Sequence, residues 1–186
     1  MNDQEFEDKF KARENRSYLK YKKVVKISIY GAFSSGRIDK LIKLRDYLRK
    51  YGYNARLSID FEDEYPRHEN ESIEEYNRRL SEKLNDWGDI HIFVFFYERE
   101  HESNINQSAS MELERTHNLG NDRYVVLYFE KGSLEQMRTV FTGLVKKSGW
   151  DYETFEEIED ILDDAIGFCS NCIRNMSENC RESTTS

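Results

Sequence analysis

The sequence predicts an α/β fold, a three-layer sandwich of helices around a five-stranded parallel sheet in the order 2-1-3-4-5. Short β-branched and aromatic runs alternate with longer stretches of helical periodicity, the pattern of repeated strand-helix-strand crossovers. One run, Ile90-His91-Ile92-Phe93-Val94-Phe95-Phe96, is almost wholly apolar, as a strand covered on both faces must be. Glycines close several of the runs at the points where the chain has to turn.

Residues 1–22 mix charges of both signs with a few aromatics and read as a charged N-terminal extension, helical or frayed, outside the core. Val24 to Tyr30 is the first strand and ends at Gly31. A tight loop, Ala32 to Arg37, leads into a helix with Leu41, Leu44 and Leu48 on one face and Gly52 at its C-terminus. Ala55, Leu57 and Ile59 alternate with polar neighbours as a short second strand, which ends in the acidic loop Asp60 to Asn70 around the only proline, Pro66. Ser72, with Glu75 at capping-box spacing, opens a helix carrying Ile73, Tyr76, Leu80 and Leu84 and ending at Trp87-Gly88.

The central strand Ile90–Phe96 follows. Tyr97 to Gln107 is polar and irregular, Ser108 opens a helix to about Leu119, and Gly120 closes it. Tyr124 to Phe129 is the fourth strand. Leu134, Met137, Phe141 and Leu144 mark another helix, Gly149 to Tyr152 a brief fifth strand, and Phe155 to about Ile173 a last amphipathic helix. The domain should span residues 23–176, with a disordered tail over 177–186.

Composition removes several function classes. Lys and Arg number 28 against 36 Asp and Glu, a net charge of -8 that repels a phosphate backbone, so nucleic acid is not the expected partner. The 12 Tyr and 11 Phe argue against wholesale disorder. No window approaches the roughly 18 apolar residues of a membrane span, and Met1 to Lys23 is charged rather than signal-like, so a cytoplasmic protein off the membrane is expected. Cys169, Cys172 and Cys180 are expected to be reduced. Their spacing hints at zinc, but no fourth ligand is nearby and His68, His91, His101 and His117 are scattered, so neither a metal nor another cofactor is expected.

In a sheet of this order, ligands bind at the carboxyl edge where the strand order reverses, here between strands 1 and 3. The loop Gly31-Ala32-Phe33-Ser34-Ser35-Gly36-Arg37 offers backbone N–H groups, two hydroxyls and a cation at a helix start, which suits an anion. It is not a Walker loop, since Arg37-Ile38 stands where Lys and Ser or Thr would. Tight turning alone is the alternative. Ser108-Ala109-Ser110-Met111-Glu112-Leu113 sets a carboxylate near the start of the facing helix, where it can act as nucleophile or stabilise a cation, or simply complement the helix dipole. Tyr97 and Asn106 border the same crevice. Asp60 follows strand 2 at that edge, either meeting a ribose hydroxyl or standing in a solvated loop, and His91 reads as a satisfied core or rim histidine rather than a base.

The run Ile27 to Arg37, the Gly88-Asp89 before an apolar strand, and Met111-Glu112-Leu113 before Tyr124-Val125-Val126-Leu127 together resemble the nucleoside 2-deoxyribosyltransferase superfamily over residues 24 to about 130. That resemblance implies a flavodoxin-like fold. It also implies that Glu112 attacks the anomeric carbon of a nucleoside and that Gly31 to Arg37 holds the sugar or a 5′-phosphate, with Ser34, Ser35, Gly36 and Arg37 on the phosphate. Ser108 and Ser110 stand where the family carries small glycines, and Arg79-Leu80-Ser81 lacks the acidic residue usual upstream. The sequence resembles TIR domains more loosely. Those share the strand order and a Glu-Leu motif, and their active members cleave the nicotinamide-ribose bond of NAD. Both resemblances imply an N-glycosidic bond, a small nucleoside or nucleotide as partner and, from the transferases, a homo-oligomer. The alternative is a non-catalytic nucleotide-binding or TIR-like signalling module.

Overall fold

The computed structural model describes residues 15–182 apart from 35, 101, 103, 121 and 138, with the backbone alone at 139–142 and 180–182. Helix α1 covers 15–24. It is followed by β1 (Lys26–Tyr30), α2 (Arg37–Lys50), β2 (Asn54–Arg56), α3 (Ile73–Trp87), β3 (Ile90–Phe95), α4 (Gln107–Asn118), β4 (Val125–Glu130), α5 (Ser133–Gln136), α6 (Thr139–Ser148), β5 (Asp151–Phe155) and α7 (Leu162–Glu182). The five strands form one all-parallel sheet, β2-β1-β3-β4-β5, with helices on both faces: the expected flavodoxin-like three-layer sandwich.

Alternation along the strands sorts two cores. Ile27 and Ile29 of β1 with Ile90, Ile92 and Val94 of β3 face α2 and α7. Tyr30, Phe93, Phe95, Leu127 and Phe129 face α3, α4 and α6. β3 is central and buried at every position, which explains its lack of polar alternation. The leucines that marked the second helix, Leu41, Leu44 and Leu48, are fully buried, each contributing about 1.5–3 kcal/mol of apolar transfer. Gly52 adopts φ 82° just past α2, the left-handed turn that a C-terminal glycine supplies. At the start of α3 the capping box forms as spaced: Glu75 N donates to Ser72 Oγ, and Ser72 N to the Glu75 carboxylate.

Several boundaries differ from expectation, beginning with β1, which starts at Lys26 because α1 runs through Val24. β2 stops at Arg56, because Leu57 N donates to the Asp60 carboxylate and Asp60 N to Leu57 O, closing a 3-10 turn over Ser58–Phe61. The single helix expected from Leu134 to Leu144 is split into α5 and α6, with Met137 in extended backbone between them. Phe155 ends β5 instead of opening the last helix. The tail expected from Ser177 is helix as far as Glu182: Met176 packs on the core, and Ser177 is buried with its hydroxyl donating to Arg174 O. The described part of the N-terminal lead-in, from residue 15, is tied down at Tyr18, whose hydroxyl meets both Tyr53 Oη and Ser170 Oγ at 3.1 Å; residues 1–14 of that extension and 183–186 of the expected tail lie outside the described residues.

Close packing of α3 on β1 depends on Gly88. A Cβ there would lie 2.2 Å from Ser28 Oγ and 3.1 Å from His91 Cε1. Gly88→Ala should therefore lower stability by about 1–3 kcal/mol in urea denaturation. Gly167→Ala, at an open position in α7, should be neutral or stabilising by up to about 1 kcal/mol.

Candidate active site at the carboxyl edge of the sheet

The strand order reverses between β1 and β3, and a crevice opens there. Its floor is Ile29, Tyr30 and Gly31 at the end of β1. One wall is Ser81 and Leu84 of α3, the other Ser108, Ala109 and Glu112 of α4, and Phe33 and Ser58 stand at its edges. At Gly31 the chain passes so close to its neighbours that a Cβ would sit 2.9 Å from a Leu41 methyl and 3.0 Å from Val94 O. The crevice holds about 10 Å³, room for a single water, and Phe33 at its mouth is 40% exposed.

Glu112 is the carboxylate in this crevice. It is the sixth residue of α4, and no acid occupies that helix's first turn, so the helix-dipole explanation of its position does not hold. Nor is it in a surface ion pair: it is 9% exposed, and its Oε2 is buried with no hydrogen-bond partner among the described residues. Arg115, one turn on, pairs instead with Glu82 and Asp86 of α3. Burial pushes the Glu112 carboxyl up to about 7. Arg115 pulls it down, and Glu82 and Asp86 push it up. The group therefore changes charge near neutral pH, a property matched to a reactive carboxylate.

Beneath it lies a polar cluster in an otherwise apolar layer. The Tyr30 hydroxyl meets His91 Nδ1 at 3.1 Å, and the Tyr30 ring stacks on Phe93 with centroids 4.3 Å apart. Asn85 Nδ2 donates to Thr116 Oγ1 at 2.7 Å, and Thr116 donates to Glu112 O at 2.8 Å. Burial pushes the Tyr30 phenol above its ordinary range and holds His91 near 4, so both stay neutral.

The residues expected at the site divide. Gly31, Ser108 and Glu112 line one crevice. Ser110 does not: its hydroxyl donates to Asn106 O within the first turn of α4. Gly36 holds φ 79° before α2, and Ser35 lies outside the described residues. Arg37 is not a free cation for an anion. It is buried, and both terminal nitrogens are engaged by Glu102, at 2.5 and 2.6 Å; Nη2 also donates to Tyr97 O and Nη1 to Ser34 Oγ. Asn106 is consumed by the backbone of Phe96, and Asp60 by Arg45 and Arg49. Cys169 and Cys172 are buried free thiols, with burial pushing Cys172 up to about 12.

Ser58 lines the crevice without having been singled out in the sequence, whereas Ser81 stands in the Arg79-Leu80-Ser81 segment where the resembled family carries an acidic residue, and Tyr30 beside Ile29 where that family carries a tyrosine. Ser58 follows β2 at the carboxyl edge, so the strand register could have found it. Ser81 flanks the apolar face of α3.

No family model matches the chain, and no curated protein matches it. Among solved structures it is similar to a 2-deoxyribosyltransferase from the psychrotolerant bacterium Bacillus psychrosaccharolyticus. The TM-score is 0.51 at 18% identity, over 74% of this chain and 90% of that one. The shared property is the fold.

Glu112 has a consequence for stability that needs no ligand. A carboxyl raised on folding stabilises fully below its unfolded value of about 4.5, and that contribution is lost as pH rises through about 7. Relative to wild type, Glu112→Gln should gain about 3 kcal/mol between pH 4.5 and pH 8, read by chemical denaturation at both values.

Proposed function

We propose that this chain cleaves the N-glycosidic bond of a nucleoside-like ligand, with Glu112 as nucleophile. The observation that carries the proposal is a buried carboxylate with an unpartnered oxygen in a crevice otherwise lined by hydroxyls and apolar groups, at the switch point of the sheet. The fold shared with a 2-deoxyribosyltransferase supports it.

In this mechanism a carboxylate oxygen of Glu112 bonds to the anomeric carbon as the carbon–nitrogen bond breaks. The electron pair leaves on the base nitrogen, which takes up a proton from water when a neutral nucleobase departs and needs none when the leaving base is cationic, as nicotinamide is in NAD. Positive charge developing on the sugar is met by the carboxylate in a site screened from bulk water. Water, or the nitrogen of a second base, then attacks the same carbon and frees Glu112. Ser108 and Ser58 place the sugar hydroxyls, and Phe33 presents a ring face to the base. A volume of one water admits no sugar, so binding includes widening of the crevice. The small volume favours a second reading, a binding or signalling module of the same fold.

Chromatography of products from NAD, deoxynucleosides and their monophosphates separates the two. The enzyme releases free base, and Glu112→Gln slows that release by roughly 10³-fold or more. Release should also climb as pH rises through about 7 and level above it, because only the ionised carboxylate attacks. A folded wild type that releases no base from any of them supports the binding module.

A further inference from the structure

Resting on the N-glycosidic reading above, we propose that Glu102 is a specificity-determining residue that excludes phosphorylated ligands, so that the site takes an unphosphorylated nucleoside. The loop after β1 carries a single cation, Arg37. A phosphate approaching that loop would need its guanidinium fork, and the fork is already filled. Nη1 donates to Glu102 Oε1 at 2.5 Å and Nη2 to Oε2 at 2.6 Å, the paired geometry in which a planar two-oxygen anion satisfies an arginine. The carboxylate is held from behind as well, since Arg99 N donates to Oε2 at 2.9 Å. Both side chains are largely withdrawn from water, 9% and 20% exposed, so the pair is screened little and does not exchange freely with solvent anions.

The surroundings make a second anion worse. Glu98 and Glu130 also act on Arg37, and Lys40 is taken by Glu130 at 2.9 Å. The crevice lining contains no cation among the described residues, only the hydroxyls of Tyr30, Ser58, Ser81 and Ser108 beside the acid Glu112. A phosphate dianion finds an acid and no cation in that lining, whereas neutral sugar hydroxyls can pair with serine hydroxyls and a carboxylate. Glu102 therefore acts as a tethered stand-in for the anion and cross-links the loops after β1 and β3.

Calorimetric titration with deoxyribose 5-phosphate tests this without turnover. Wild type should show no binding at millimolar ligand. Glu102→Gln, which keeps the size and removes the charge, should bind at least about tenfold more tightly. Arg37→Met in the same chain should abolish the gain. Glu102→Ala is the second variant should the glutamine chain not fold, and a phosphate-induced rise in melting temperature reads the same equilibrium. Wild type binding as tightly as Glu102→Gln would overturn the proposal, as would folded Gln and Ala variants that gain nothing. A chain without base-releasing activity still yields one of these results, so failure of the N-glycosidic reading alone is recognisable.

Discussion

The handedness of the strand-helix-strand crossover is the constraint from which the rest of this molecule follows. Right-handed connections send the chain from β1 to β2 on one side and from β3 onward on the other. α2 therefore covers the face that α7 completes, while α3 and α4 cover the opposite one. At the split between β1 and β3 the end of β1 meets α3 and α4, and a small crevice remains between them. Gly31 lets the chain turn there in contact with Leu41 and Val94, and the crevice takes its floor from that turn.

The same face carries an unusual polar load for an interior. Ser28, Asn85, His91 and Thr116 are fully buried, and Asn85 Oδ1, His91 Nε2 and Glu112 Oε2 find no partner among the described residues. Each unsatisfied buried polar atom costs about 1–3 kcal/mol, so a layer built only for stability would be apolar here. Such concentrations mark functional sites, where stability is given up for reactivity. At the rim the opposite strategy appears. Glu102 and Glu130 satisfy Arg37, Lys40 and Tyr97 N and tie the loops after β1 and β3 to the end of β4.

Element order and sheet topology were legible because they rest on periodicity, and periodicity is local: the continuous apolar run at Ile90–Phe95 and the Leu41, Leu44, Leu48 spacing each decide one element. Boundaries were less so. The Asp60 side chain overrode alternation at Leu57 and Ile59, and packing of Met176 extended a helix that polarity alone would end. Glu112 was legible from its place near the start of the helix facing the crevice, and the resemblance added a role; its burial could not be foreseen, because α3 and α4 meet over it only in the folded chain. Arg37 shows the limit most clearly. Its loop suits an anion, but the carboxylate that fills it lies 65 residues away in an irregular segment, a pairing no local pattern encodes.

The functional reading stands on the burial of one carboxyl without a partner for its Oε2, and the ionisation of that side chain reports it. That ionisation is accessible by ¹³C NMR titration of glutamate carboxyls in the intact protein, with the Glu112 signal assigned by its disappearance in Glu112→Gln. A midpoint near 7 is expected of a carboxyl raised by burial and without an ion-pair partner. A midpoint near 4.5 would mean that Glu112 is solvated or paired in solution, and would contradict its assignment as a buried nucleophile.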